Sequence, residues 1–95
     1  MADESATSVW DVLLDTPEEA ENLRIRSKLM RALTRAVKAW EVSQAEAAQK
    51  LHISQPRLND LLKGKIDKFS LDALVNLLAY ADLEIEICVS SKKAA

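Results

Sequence analysis

The feature that most restricts the fold of this 95-residue chain is its shortage of glycine and proline, with Gly64 as the only glycine and Pro17 and Pro56 as the only prolines. Each proline lies one or two residues after a hydroxyl residue, Thr16 or Ser54. This placement is typical of the first turn of a helix, where the missing N–H has no intrahelical acceptor in any case. The sequence therefore predicts a mainly α-helical fold.

Capping patterns predict four helices. Each predicted helix starts directly after a threonine or serine that can accept a hydrogen bond from the first turn. The predicted ranges are 17 to about 40 after Thr16, 44–51 after Ser43, 55–63 after Ser54 and 71–81 after Ser70. Gly64 is the predicted residue that ends the third helix in a left-handed conformation. The fourth helix is expected to face the core with Leu71, Leu74, Val75, Leu77 and Leu78.

The pattern changes near the C-terminus, where apolar and mostly polar residues alternate over 83–90. This period of two predicts a half-buried β-strand, and a single strand leaves its backbone groups unpaired. The strand is expected to pair with the same strand of a second copy, or with residues 8–12 of either chain. The sequence therefore predicts a homodimer, held by the apolar residues Leu83, Ile85, Ile87 and Val89.

Length and composition limit the other possibilities. A chain of 95 residues has room for one hydrophobic core, so we expect one domain over 9–90 with disordered tails at 1–8 and 91–95. A single cysteine, Cys88, and a single histidine, His52, support neither a disulfide nor a zinc site, and no cofactor is expected. No apolar run can span a membrane, and no secretion signal opens the sequence, so a cytoplasmic protein is expected. An enzyme is not expected either, because no catalytic triad or glycine-rich phosphate loop is present.

The net charge of −2 conceals a strong division along the chain. Residues 1–23 carry seven acids and no base, residues 24–68 carry eleven bases and four acids, and residues 69–95 carry two bases and four acids. The segment charges of −7, +7 and −2 sum to −2. A basic middle segment is typical of a phosphate-binding face, although a solvated charged face without a partner would look the same.

Residues 44–65, QAEAAQKLHISQPRLNDLLKGK, fit a helix-turn-helix. This motif needs a small residue where the two helices approach and apolar residues at the corner between them. Ala48 is the small residue, and Leu51 and Ile53 fill the corner. Leu58 and Leu61 lie on the buried face of the second helix, which leaves an outward surface of Gln55, Arg57, Asn59, Asp60 and Lys63. The alternative is a helical corner with no role in binding DNA.

From about Trp10 to Val89 the chain resembles the XRE (Cro/repressor-like) helix-turn-helix family, and within it the small HigA-type antitoxins. The resemblance lies in VWDVLL at 9–14, the long helix ENLRIRSKLMRALTRAVKAW, the segment SQAEAAQKLHISQPRLNDLLKGKIDKFSLDALVNLLAYAD and the closing LEIEICV. It implies a λ-repressor-like bundle of about five helices that dimerises. His52 departs from the family, which usually has glycine at this corner because the chain there favours a left-handed conformation.

The resemblance also implies a function, with alternatives left open. The implied protein binds a palindromic operator in double-stranded DNA, represses its own operon and neutralises a RelE-like ribonuclease toxin. A repressor without a toxin partner, or a protein-interaction module that no longer binds DNA, would have a similar sequence. The acidic and apolar segment Val9–Leu14 is a candidate toxin-binding surface, although packing within the protein or its dimer is favoured.

For a DNA-binding protein, the outward surface predicts a division between residues that hold the backbone and residues that read bases. Gln44 and Ser54 start helices whose N-termini attract phosphates, and Lys63 and Lys65 add positive charge. Base edges are assigned to Gln55, Arg57 and Asn59, because amides match adenine and arginine matches guanine in the major groove. Pro56 is expected to contact a thymine methyl group. Two copies would bind half-sites about 34 Å apart.

Overall fold

The computed structural model describes residues 16–91, which contain four α-helices and one 3-10 turn. The elements are α1 (Pro17–Trp40), α2 (Gln44–Leu51), α3 (Gln55–Leu62), the 3-10 turn Ile66–Lys68 and α4 (Leu71–Tyr80). All four helices begin where the capping patterns predicted, and α3 and α4 each end one residue earlier than predicted. The 3-10 turn was not predicted. Residues 16–91 thus contain four α-helices and this short turn, and the implied bundle of about five helices is not confirmed.

The predicted hydroxyl caps are present at every helix start. Thr16, Ser43, Ser54 and Ser70 each accept a hydrogen bond from the backbone N–H three residues later, at 3.1, 3.1, 3.2 and 3.1 Å. Ser43 also forms a reciprocal pair with Glu46, whose side chain accepts from the Ser43 backbone N–H. These local bonds fix the helix starts because they satisfy N–H groups that the helix itself cannot.

The core lies where α1 crosses α4 and the helix-turn-helix. The apolar residues of α1 that are buried recur at steps of three and four, and α1 packs mainly against α4. The largest side chains that are fully buried are Phe69, Leu33, Leu51, Leu58, Leu61 and Leu74. In α4, Leu74, Leu77 and Leu78 are buried as predicted, but Val75 is 39 % exposed and does not reach the core.

Arg26 is a buried charged residue in the apolar stripe of α1, with 9 % of its surface exposed. Its Nη1 donates to the carbonyl oxygens of Ile66 at 3.0 Å and Phe69 at 3.2 Å, and its Nε donates to the side-chain oxygen of Asn22 at 2.6 Å. The guanidinium therefore satisfies carbonyls of the chain between α3 and α4, and ties that connection to α1.

Residues 83–91 have no regular secondary structure within the described chain, so the strand predicted over 83–90 is not found there. Leu83 is half-buried against the core, and its N–H donates to the carbonyl of Leu78 at 3.0 Å. Ile85, Ile87 and Val89 are 39 %, 81 % and 88 % exposed. The physical reason is that a strand needs a hydrogen-bonding neighbour, and no other segment of 16–91 is a strand. The pairing strand and the dimer remain predictions.

Three predicted features lie partly or wholly outside residues 16–91. They are the disordered tails at 1–8 and 91–95, the segment Val9–Leu14 and the pairing of 8–12 with the C-terminal segment. Of the predicted C-terminal tail only Ser91 is described, and it is exposed. None of the helices that the structure describes is long and apolar enough to cross a membrane. Residues 16–91 also hold no cluster of His, Cys, Asp or Glu side chains arranged for a metal ion.

Candidate nucleic-acid interface

The turn between α2 and α3 is built on a left-handed residue, as predicted for His52, which has φ 61° and ψ 38°. The N–H of His52 donates to the carbonyl of Gln49 at 3.1 Å, and the N–H of Ile53 donates to that of Ala48 at 3.0 Å. This pair of bonds is the Schellman arrangement that closes a helix and turns the chain. The imidazole of His52 stacks on Tyr80 of α4, with ring centroids 4.1 Å apart.

Small and apolar side chains allow α3 to approach α2 closely. Ala47 and Ala48 are 1 % and 3 % exposed, so the two methyl groups lie at the contact between the helices. Leu51 from α2, with Leu58 and Leu61 from α3, is at most 1 % exposed. The predicted helix-turn-helix core is therefore confirmed, and its packing determines which residues of α3 face outward.

The outward line of α3 runs through Pro56, Asn59 and Lys63, which are three or four residues apart and so share one face of the helix. Pro56 and Lys63 are exposed and Asn59 is half-buried. Gln55 is also exposed, at the first position of α3 beside this line. A straight helix that presents one polar face at the edge of the core has the shape that fits the major groove.

The two helix N-termini differ in what they can offer a phosphate. The first two N–H groups of α2, from Gln44 and Ala45, have no acceptor within the helix, and Gln44 is exposed. In α3, Pro56 has no N–H and the N–H of Arg57 already donates to the exposed Ser54 hydroxyl at 3.2 Å. This leaves the Gln55 N–H as the free donor of the α3 start. The N-terminus of α2 is thus the better phosphate site, because it offers two free donors instead of one.

Arg57 does not lie free on the outward surface. Its Nη1 donates to the carbonyl of Lys68 at 3.3 Å, and its guanidinium carbon lies 4.3 Å from the centre of the Phe69 ring. The side chain is half-buried and points toward the connection that precedes α4. Sequence reasoning missed this contact, since it joins residues eleven and twelve positions apart.

The connection after α3 carries the remaining predicted phosphate contacts. Gly64 has φ +75°, and the N–H groups of Gly64 and Lys65 donate to the carbonyls of Leu61 and Asp60 at 3.0 and 3.1 Å. This is again the Schellman arrangement, and it confirms the predicted role of Gly64. Lys65 Nζ lies 3.4 Å from Asp60 Oδ1, so part of its charge is already balanced within the protein.

Arg26 is a further positioning residue that sequence reasoning missed. Its bonds to the Ile66 and Phe69 carbonyls fix the chain that follows Lys65 and the ring on which Arg57 lies. A sequence signal was available, because Arg26 continues the apolar pattern of α1 at steps of three and four residues. The positions of this pattern are Leu23, Arg26, Met30, Leu33 and Val37. An arginine within such an apolar stripe is buried and needs acceptors.

Comparisons with known proteins agree with this geometry. Residues 12–90 match a family model described as a helix-turn-helix domain. Among solved structures, the chain is similar to one described as "Putative XRE Family Transcriptional Regulator", with 32% sequence identity and a TM-score of 0.72. That match covers 81% of this chain and 86% of the other. A search of curated proteins found no match.

Proposed function

Because this chain belongs to the XRE-type helix-turn-helix family of transcriptional regulators, we propose that it is a dimeric repressor that binds a palindromic operator in double-stranded DNA. The observation that carries the proposal is the exposed face of α3 at Gln55, Pro56 and Lys63, together with the exposed start of α2 and its free N–H groups. The segment 24–68, which contains this face, has a net charge of +7 and supplies attraction to phosphates. No enzymatic activity, metal or cofactor is part of the proposal.

Gln55, Pro56 and Asn59 are the proposed base-reading residues. Gln55 and Asn59 carry amides that match the paired donor and acceptor of adenine, and the Pro56 ring suits a thymine methyl group. Lys63, at the far end of the same line, is placed for a phosphate at the edge of the groove. Gln44 and Ser54 are proposed to hold backbone phosphates, with Gln44 contributing more because the start of α2 has two free N–H groups.

Arg57 and Lys65 are proposed as secondary contacts. Arg57 has to leave Phe69 and Lys68 to reach a guanine, which costs about 0.5–1 kcal/mol for the cation–π contact and about 1 kcal/mol for the hydrogen bond. A bidentate contact to guanine is worth about 1–3 kcal/mol, so the gain and the cost of release nearly cancel. Lys65 has to share its charge with Asp60, which weakens its hold on a phosphate.

The C-terminal segment is the proposed dimer contact. Ile85, Ile87 and Val89 present apolar side chains to solvent, and the backbone of 84–90 forms no hydrogen bond with another part of the described backbone. Pairing with the same segment of a second copy would cover both. The symmetric pair would then place two α3 helices about one turn of DNA, roughly 34 Å, apart.

An antitoxin role is a finer part of the proposal. It is supported by the resemblance to HigA-type antitoxins and by the acidic, apolar segment Val9–Leu14, which suits a basic RelE-like ribonuclease toxin. A stand-alone repressor in the cytoplasm fits the same interface. Co-expression with the protein encoded by the neighbouring gene separates the two, since only an antitoxin restores growth when that neighbour is a toxin.

The proposed function is tested by selecting bound duplexes from a random-sequence library and then measuring Kd by fluorescence anisotropy. Gln55→Ala is compared with Gln49→Ala, which removes an equally exposed glutamine from α2. We expect Gln55→Ala to weaken binding to the selected site by about 1–3 kcal/mol, with little change for random DNA. Gln49→Ala should bind like the wild type. Absence of salt-dependent binding by the wild type, or equal effects of the two variants, would contradict the proposal.

A further inference from the structure

A groove of about 390 Å³ lies between the middle of α1 and the C-terminal end of α3. Its floor is formed by the buried side chains of Met30 and Ile66. Its rim carries three exposed cations, Arg31 and Arg35 from α1 and Lys63 from α3. This α1–α3 groove includes two arginines that lie outside the helix-turn-helix and have no place in the interface described above.

The three cations of the rim are not balanced within the described part of the chain. Some of the other basic residues have acceptors: Lys50 pairs with Asp82 and Lys65 with Asp60. Arg24 donates to Glu21, and this hydrogen bond together with the carboxylate charge raises the pKa of Arg24. By contrast, Arg31, Arg35 and Lys63 form no ion pair with any residue of 16–91.

Such a cluster has an energetic consequence. Arg31 and Arg35 are four residues apart on one helix, where like charges repel and destabilise the helix. Lys63 adds a third positive charge across the groove. An anion bound among the three would relieve this repulsion and gain from the guanidinium groups, whose forked N–H donors match phosphate oxygens.

We propose that the α1–α3 groove holds the phosphates of the DNA strand that flanks the bases read by α3. The inference rests on the proposed function and extends its footprint onto α1. Continuity supports it, because Lys63 belongs both to the outward line of α3 and to the rim of the groove. The apolar floor suits the deoxyribose rings that lie between successive phosphates. An acidic peptide is the other ligand with matching charge, but it would not explain the continuity with α3.

The test compares two double variants that remove the same charge from the same helix. Arg31→Gln with Arg35→Gln removes both α1 cations from the rim. Arg24→Gln with Lys28→Gln changes residues that line a different groove, next to Val75 and the C-terminal residues Ile85 and Ile87. Because Ile85 and Ile87 belong to the proposed dimer contact, sedimentation equilibrium must show that both double variants associate as the wild type does. Kd is measured from low to high salt on two duplexes that contain the selected site, one ending at the site and one extended by about one helical turn, roughly 10 base pairs, on each side. Thermal melts of each variant establish that it is folded.

On the extended duplex, we expect the slope of log K for binding against log salt to be less steep for the Arg31/Arg35 variant than for the wild type. Its magnitude should fall by about 1.8, which corresponds to two lost phosphate contacts. On the short duplex, the Arg31/Arg35 variant should have the same slope as the wild type. The Arg24/Lys28 variant should have the wild-type slope on both duplexes.

If the wild type shows no salt-dependent binding, the proposed function itself fails. If it binds and the two double variants have equal slopes, only the groove assignment is overturned. An equal loss on both duplexes would also overturn it, because the phosphates would then lie inside the site. The groove would instead hold an acidic peptide if the Arg31/Arg35 variant kept the wild-type slope on DNA but no longer bound a synthetic peptide of residues 1–15 that the wild type binds.

Discussion

Within residues 16–91, three residues other than glycine adopt left-handed conformations where helices end, namely Glu41, His52 and Asp82, with φ of 55°, 61° and 60°. This conformation costs a residue with a Cβ roughly 1–2 kcal/mol, so each such position needs compensation or carries strain. His52 has a visible compensation in its stacking on Tyr80. For Glu41, which is exposed at the end of α1, the structure shows no side-chain contact of this kind.

The first prediction compares glycine substitutions at these two helix ends. Glu41→Gly should raise the free energy of unfolding by about 0.5–1 kcal/mol, since relief of backbone strain exceeds the added entropy of the unfolded chain. His52→Gly should change it by less than about 0.5 kcal/mol, because the lost stacking offsets the relief. Urea denaturation of the two variants and the wild type measures both values. A larger gain for His52→Gly than for Glu41→Gly would show that the stacking contributes nothing.

The second prediction concerns Arg26, which donates to two carbonyls of the α3–α4 connection. Arg26→Met keeps an unbranched apolar stem but lacks the guanidinium and leaves both carbonyls without their donor, so the free energy of unfolding should fall by roughly 2–4 kcal/mol. Arg24→Met, at an exposed position two residues away, should change stability by less than about 0.5 kcal/mol. Denaturation midpoints measure both variants. Similar small losses would mean that the buried guanidinium is replaceable by an apolar group, as happens for some buried ions.

At the scale of elements, the helix starts and the turns at His52 and Gly64 could be predicted from sequence, whereas the chain between Lys65 and α4 could not. Each start is fixed by a hydroxyl that accepts a hydrogen bond from the backbone N–H three residues later, so a short window of sequence contains the whole interaction. The four hydroxyl residues are Thr16, Ser43, Ser54 and Ser70. The 3-10 turn at Ile66–Lys68 has no such local signal. It is held by hydrogen bonds from Arg26, which is forty or more residues away in sequence. Hydrogen bonds between such distant residues produce no local sequence pattern from which the turn could be predicted.

The interface follows the same division between local and distant contacts. The buried faces at Ala48, Leu58 and Leu61 were predictable from helical spacing, and the exposure of Gln55 followed from them. The attachment of Arg57 to Phe69 was not predictable, because it depends on where the connection runs after α3. The conformation of the C-terminal segment was not predictable either. Its alternating pattern favours a strand, but a strand needs a neighbour to pair with, and the described chain does not supply one.

The third prediction uses two helix caps with the same chemistry. Ser54→Ala and Ser70→Ala each remove one hydroxyl that accepts a first-turn N–H, at 3.2 and 3.1 Å. Each should therefore destabilise the protein by about 1 kcal/mol. Only Ser54→Ala should weaken DNA binding, by about fivefold, because fraying at the start of α3 displaces Gln55. Equal DNA affinities for the two variants in the anisotropy assay would mean that the first turn of α3 does not contact DNA.

For the whole molecule, the fourth prediction concerns the dimer. Ile87 and Val89 are 81 % and 88 % exposed, so Ile87→Asp with Val89→Asp should leave the stability of the single chain nearly unchanged. In a dimer built on this segment, the two carboxylates would be buried without partners, and association should weaken at least tenfold. Sedimentation equilibrium measures the association constant, and Val42→Asp, at another exposed apolar residue, is the control. An unchanged association constant would place the dimer contact elsewhere.

The dimer prediction bears on DNA binding as well, because one α3 helix contacts only a few base pairs. The Ile87/Val89 variant should therefore bind the full palindrome much more weakly than the wild type but bind a single half-site with the same affinity. Equal affinities for the palindrome would show that a single chain is sufficient.

The most direct measurement of the central claim, that the face of α3 beside the α2 N-terminus lies against DNA, is an NMR titration of the uniformly ¹⁵N-labelled protein with the selected duplex. The largest amide shift changes should fall on 43–45 and 54–65, saturating at two chains per duplex. Shift changes concentrated on α4 and residues 85–89, with 54–65 unaffected, would contradict the claim.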